Sequence, residues 1–189
     1  MASLEWKTLS SEYLIKTNWL TARRDKCETP QGKIVDAYYV LEYNDWVNCV
    51  AVTADGRLIM VRQFRQGIGR TVLEIPGGTM DDTDPSPEFA MRRELLEETG
   101  YDFEQLIPLG AVAPNPASSN NLTHMFLAVG GKKVQEQDLD ETEELEVILM
   151  DLAEVEKLLL NNEILQSLHA TCLFYALPKL KELSQQQAR

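Results

Sequence analysis

Three glutamates, Glu94, Glu97 and Glu98, stand three and four residues apart shortly after a glycine pair, Gly77-Gly78. On a helix turning about 100° per residue they share an arc roughly 100° wide. Carboxylates this close repel one another, and a cation removes that cost. Hard oxygen ligands in a flexible cluster suit Mg²⁺ or Mn²⁺, with phosphate oxygens completing the shell. The arrangement points to metal-assisted chemistry on a diphosphate. An isolated acidic run is ordinarily a solvated helix face, but here a glycine turn precedes the acids, Arg93 abuts them, and Gly100-Tyr101 closes the segment.

The helix that must carry these acids is legible from its ends. Ser86 is a good N-cap, and Pro87 suits the first helical position because its missing N–H would be unpaired there anyway. Gly100 can turn left-handed without a Cβ clash and stops the helix. Leu96 and Phe89 border the acidic arc on one side, Met91 and Leu95 on the other. Glu88, Arg92 and Thr99 fall opposite.

The run GGTMDDTDPSPEFAMRRELLEETGY, Gly77 to Tyr101, resembles the Nudix box, Gly-x5-Glu-x7-Arg-Glu-U-x-Glu-Glu-x-Gly-U, where U is apolar or aromatic. Gly78, Arg93, Glu94, Leu95, Glu97, Glu98, Gly100 and Tyr101 match it. The middle departs from it: Asp84 stands where the first Glu belongs, and the loop carries one extra residue. The resemblance implies metal ligation by Glu94, Glu97, Glu98 and a main-chain carbonyl near Gly78, with Arg93 holding Glu97 in place. In the family the replaced Glu anchors the loop to the helix, so the departure bears on loop geometry more than on the metal.

Three further features resemble the ADP-ribose and nucleoside diphosphate sugar pyrophosphatases of that family. Val61-Arg62-Gln63-Phe64-Arg65 followed by Leu73-Glu74-Ile75-Pro76-Gly77-Gly78 is similar to their arginine signature. It implies that Arg62 or Arg65, with Arg65 preferred, forks onto a phosphate or terminal sugar, and that Glu74 contacts metal or substrate. A surface Arg paired with an acid is the plainer alternative. Pro116 stands fifteen residues beyond Tyr101, where these enzymes carry a substrate-loop proline. Asp140-Glu141-Thr142-Glu143-Glu144-Leu145-Glu146-Val147 resembles their mobile acidic loop, which makes Glu141 the first candidate for general base and Glu143 the second; a solvated acidic loop is the bland reading.

The rest of the chain limits the alternatives. Its 189 residues make one ordinary domain with a small appendage, divided here into residues 1–45, an antiparallel β subdomain, and 46–189, the Nudix domain. A net charge of −12 argues against nucleic-acid binding through a basic face, but not against a small anion whose charge is met by cations. Cys27, Cys49 and Cys172 are odd in number and scattered, so they read as buried reduced thiols in a cytoplasmic protein. No signal core or bilayer-spanning run is present, so no membrane partner is expected.

Strands are expected across Glu5–Tyr43 around a turn at Glu28–Gly32, then at 47–52, 57–64, 71–75, 106–113, 124–129 and 145–150. Helices are expected at 151–160 and 164–183, with Pro178 kinking or ending the second. The fold class is therefore α/β, an α/β/α sandwich with a mixed sheet plus the N-terminal antiparallel sheet. The first forty-five residues are too few for a core of their own. Enzymes resembling this one swap that subdomain across a two-fold axis to cover a base, which implies a homodimer and a role for some of Trp6, Trp19, Tyr38, Tyr39 and Trp46. The expected reaction is Mg²⁺-dependent hydrolysis of a nucleoside diphosphate sugar. The alternatives are a Nudix hydrolase of dinucleoside polyphosphates or modified nucleoside triphosphates, and a non-catalytic Nudix-fold sensor. Neither base nor sugar is specified.

Overall fold

The computed structural model describes residues 3–187. The chain divides into two units: residues through Asn44 together with Ala113–Leu122, and Asp45–Val112 together with the remainder from Thr123.

In the first unit, β1 (Lys7–Lys16), β2 (Thr21–Glu28) and β3 (Ile34–Glu42) form an antiparallel sheet in the order β1-β2-β3. The β2–β3 turn closes through the Thr29 and Gly32 N–H groups, donated to Lys33 O and Thr29 O. Gly32 turns there with φ 76°, a conformation that only glycine adopts without cost. The segment 113–122, expected within the larger domain, is stitched to β3 instead. Leu41 N donates to Ser118 O (2.7 Å), Asn120 N to Leu41 O (3.3 Å), and the Tyr38 hydroxyl to Ala117 O (2.6 Å). Pro116 lies in this stitched segment.

The second unit is a mixed sheet of β4 (Trp46–Thr53), β5 (Leu58–Arg65), β6 (Arg70–Glu74), β7 (Gly77–Thr79), β8 (Tyr101–Asp102), β9 (Gln105–Val112), β10 (Thr123–Lys133) and β11 (Leu145–Met150), with the main path β11-β5-β4-β10-β8. β4 and β10 run parallel, and the other named pairings are antiparallel. Successive strand residues point to opposite faces, and the two cores follow that alternation. Val47, Cys49 and Ala51 of β4, Ile59 of β5, and Phe126 and Ala128 of β10 meet Ala90, Met91 and Leu95 of α1 (Pro87–Thr99). Val50, Leu58, Met60, Met125 and Leu127 face the other way, onto Val155 and Leu159 of α2 (Leu152–Leu160) and Cys172, Leu173 and Ala176 of α3 (Ser167–Gln187). Each helix covers one face, so the expected sandwich is formed.

Two expectations need correction. Gly77–Thr79, read as a turn, is a short strand: Asn48, Val47 and Trp46 pair with Gly77, Gly78 and Thr79. A Cβ at Gly77 would press on the Val47 carbonyl at 2.5 Å and on Asn48 Cα at 2.9 Å, so the close approach requires glycine. Pro178 does not end its helix, which runs on to Gln187. Proline removes a single helical hydrogen bond there, while Ala176, Leu177 and Leu180 around it are buried in the core.

Candidate active site

α1 begins and ends as its sequence dictates. The Ser86 hydroxyl accepts from Phe89 N at 3.2 Å, and Gly100 sits at φ 73° with its N–H on Leu96 O. A Cβ on Gly100 would overlap the Gln135 carbonyl. The last helical carbonyls, which have no partner inside the helix, are met by the chain leading to the acidic loop. Asp138 N donates to Glu97 O at 2.9 Å. Gln137 Nε2 donates to Glu98 O at 2.7 Å and to Leu145 O at 3.2 Å. Gln137 thus ties the acid-bearing helix end to β11. Thr99, expected on the face opposite the acids, is buried, its hydroxyl on Leu95 O.

The three acids of the helix do not share one environment. Glu98 is only 5% exposed, and its Oε2 accepts from Gly77 N at 2.9 Å. Burial pushes its carboxyl well above the usual range, and the charges of Glu94 and Glu143 push it further. Burial likewise lifts Glu94 to about 7 against the opposing pull of Arg93, with Glu97 and Glu143 adding to the rise. Glu97 instead turns to Arg93, whose Nη1 donates to Glu97 Oε2 at 2.9 Å and to Glu94 Oε1 at 3.0 Å. Among the described residues no three His, Cys, Asp or Glu side chains are gathered as a ready ligand set.

Arg93 is also held from the loop. Its Nη2 donates to Asp84 Oδ2 at 2.9 Å and to Thr79 O at 3.1 Å. The Asp84 side chain is 3% exposed, and the hydrogen bond from Arg93 keeps its carboxyl below the ordinary value. The residue standing where the box has Glu therefore ties loop to helix despite its shorter side chain and the extra loop residue.

β5 sends its signature residues two ways. Gln63 and Arg65 share a face and both reach Glu74 on β6, which is 1% exposed. Arg65 Nε and Nη2 donate to Glu74 Oε2 at 3.0 and 2.7 Å, and Gln63 Nε2 donates at 3.1 Å. Arg62 points the other way and pairs at 2.5 Å with Glu146, its register partner on β11. Arg65 and Glu74 line a cavity of about 530 Å³, together with Trp46, Gly77 and Gly78. The cavity wall is thus the strand whose other contacts are the site acids: Gly77 holds Glu98, and a Cβ at Gly78 would overlap the Glu94 carboxyl. Arg62 is absent from that lining. In the acidic loop, Glu141 and Glu143 are exposed in a turn closed by Glu143 N on Asp140 O (2.9 Å), and Glu143 is the one whose charge is felt at both Glu94 and Glu98.

Sequence reasoning did not single out Gln63, Gln137, Asn48, Thr123 or His169. Gln63 sits inside the arginine signature and could have been found from its shared strand face with Arg65. The last three meet in the cavity from three separate elements, which no local pattern announces.

These features define a class. Residues 43–170 match the NUDIX domain, and residues 6–41 match the nucleoside diphosphate sugar hydrolase N-terminal domain. The chain belongs to the Nudix hydrolase family. It is 34% identical over 188 residues to an ADP-ribose pyrophosphatase of Bacillus subtilis (strain 168), covering 99% of this chain and 100% of that one. It is 30% identical over 151 residues to a methanol dehydrogenase activator of Bacillus methanolicus, covering 79% and 80%. A crystal structure of an ADP compounds hydrolase superposes with a TM-score of 0.84 at 22% identity, over 97% of this chain and 98% of that one, and so shares the fold. Nudix hydrolases generally require a divalent metal. Among the described residues no helix is long and apolar enough to cross a membrane.

Proposed function

We propose that this protein hydrolyses the diphosphate of a nucleoside diphosphate sugar, ADP-ribose being the first candidate, to a nucleoside monophosphate and a sugar phosphate. The observation that carries this reading is the desolvated pair Glu94 and Glu98, set against the same glycine strand that walls the Arg65 cavity. A buried Glu98, whose proton affinity the partly buried Glu94 raises, beside the partly exposed main chain of β7, makes a hard-oxygen donor set that a divalent cation would stabilise. Glu94, Glu98 and a carbonyl near Gly78 would hold it, and Glu97 would have to exchange Arg93 for the ion to join them. Bound there, Mg²⁺, or Mn²⁺ in its place, supplies neutralisation of the diphosphate charge and polarisation of a P–O bond.

The chain's own groups do the rest. Arg65, already oriented by Glu74 and Gln63, directs its remaining N–H groups to the substrate's anionic end. Glu143, with Glu141 in the same turn, takes the proton of the attacking water. The water oxygen bonds to one phosphorus, and the bridging P–O bond breaks in line with it. Arg93 positions the acids and does not meet substrate.

We also assign the protein to the cytoplasm as a homodimer. All three cysteines are free and buried. Every residue of β1 is exposed, including Leu9, Tyr13, Leu14 and Ile15, a strand that a second copy would cover. Light scattering returning a monomer mass would remove the dimer. For the reaction, a panel of ADP-ribose, GDP-mannose and UDP-glucose with Mg²⁺, analysed for products, is the test. Absence of a monophosphate product from every member rejects the reading.

A further inference from the structure

Three uncharged polar side chains are sunk in the wall of the Arg65 cavity. Asn48 on β4 and Thr123 at the start of β10 are each 1% exposed, and His169 on α3 is 7% exposed. Both amide atoms of Asn48, the Thr123 hydroxyl and His169 Nδ1 have no hydrogen-bond partner among the described residues. A buried polar atom left without a partner costs about 1–3 kcal/mol, so four of them around one space cost more than an apolar trio of the same shape. Natural interiors satisfy such groups, and a converging set of exceptions marks a place where something else supplies the partners.

The chemistry of that partner can be read from the set. No member carries charge: burial holds His169 near 3, so its ring is neutral at physiological pH. The amide offers two donors and an acceptor, the hydroxyl both, and the neutral ring nitrogen one or the other. Such a mixture fits groups that donate and accept at the same atom, which vicinal hydroxyls do. None of the three offers a positive charge to an anion; among the lining residues Arg65 does that. The position is equally specific. Asn48 is the register partner of Gly77, whose N–H holds Glu98. A group seated against Asn48 is therefore one strand from the carboxylates, where the moiety bonded directly to a phosphate would lie. In a nucleoside diphosphate sugar that moiety is a sugar ring.

We propose that Asn48, Thr123 and His169 form a hydroxyl-recognising subsite that binds the sugar ring attached to the scissile diphosphate and sets which sugars are accepted, a reading that rests on the function proposed above. The ring is either the nucleoside ribose or the terminal sugar; both present the same hydroxyl chemistry.

The experiment is a cycle with Thr123→Val, which removes the hydroxyl and keeps the volume, assayed with ADP-ribose, with its 2′-deoxyadenosine analogue, and with an analogue deoxygenated on the terminal ribose. Thr123→Val should raise KM for ADP-ribose about 5- to 30-fold, the loss of one or two hydrogen bonds, with kcat within a few-fold. The melting temperature should hold or rise, because an unpaired buried hydroxyl has gone. One of the two deoxy analogues should lose its disadvantage in the variant, and that identifies the ring bound. His169→Phe is the second variant and should give the same pattern. An unchanged KM in both variants, or no coupling to either deoxy analogue, overturns the subsite while leaving the hydrolase reading intact. A wild-type protein inactive on every nucleotide sugar overturns the hydrolase reading and this one with it.

Discussion

The loop knot around Arg93 and the pair Glu94–Glu98 lie within one helical turn of each other, yet they are built on opposite terms. At Arg93 the carboxylates share a cation: Asp84, Glu94, Glu97 and the Thr79 carbonyl all accept from one guanidinium. At Glu98 a carboxylate is buried against a single N–H, with Glu94 and Glu143 raising its proton affinity. The first arrangement stabilises the folded state unaided, and the second carries a desolvation cost that a cation bound there would remove. Acids from one short stretch of sequence thus differ by the partner each one meets, with Glu94 shared between the two arrangements.

Mutation should separate the two. The largest effect belongs to Glu98→Gln. The amide oxygen can still accept from Gly77 N, so the metal-free protein should melt no lower than wild type, while kcat/KM falls about 1,000-fold. Steady-state kinetics beside a thermal melt measures both, and retained turnover would erase the contrast. Arg93→Gln should show the reverse emphasis. It leaves Asp84 and Glu97 without their cation, and should cost about 2 kcal/mol in chemical denaturation, a value lowered for the partial exposure of the guanidinium.

The pH dependence sharpens the comparison further. Glu94 titrates near 7 in the fold against an ordinary value of 4.5. A raised carboxyl gives stability that is complete below 4.5 and lost as pH climbs through 7. In chelator, wild type should therefore lose stability relative to Glu94→Gln between those limits, and added Mg²⁺ should close the gap. A pH-independent difference between the two proteins would mean Glu94 is not desolvated. The smallest effect is expected of Asp84→Asn, which weakens one link of the knot: about 1 kcal/mol of stability, with kcat altered less than two-fold. A large loss of turnover in that variant would show that the loop anchor and the reactive pair are not separable after all.

What could be read from the residues alone follows the range of the interactions. The ends of α1 were legible because a cap is made within four residues: Ser86 with Phe89, Gly100 with Leu96. The central strands of the sandwich were legible as short, mostly apolar runs, which burial on two faces imposes. β7 was not, because two glycines read as a turn, and only the close approach of β4 makes them a strand. At Pro178 a kink or an end was expected; the end is excluded because the helix continues, with Leu177 and Leu180 beside the proline buried in the core. The division of the acids could not be foreseen, since spacing puts all three on one arc and only the loop, through Asp84 and Thr79, steers Arg93 toward Glu97. Asn48, Thr123 and His169 were invisible for a plainer reason: they come from β4, β10 and α3, far apart in the chain.

The stitching of residues 113–122 to β3 has a practical corollary for anyone trimming this enzyme. A single scission after Asn44 would not liberate a clean catalytic fragment. It would carry away the main-chain partners that Ser118 and Asn120 find on Leu41 and strip the Tyr38 hydroxyl from Ala117, leaving the ten-residue span between β9 and β10 with its internal bonds to Asn115. The covalent order of the chain and the order in which its parts belong together are different here, and expression boundaries drawn from the former will cut through the latter.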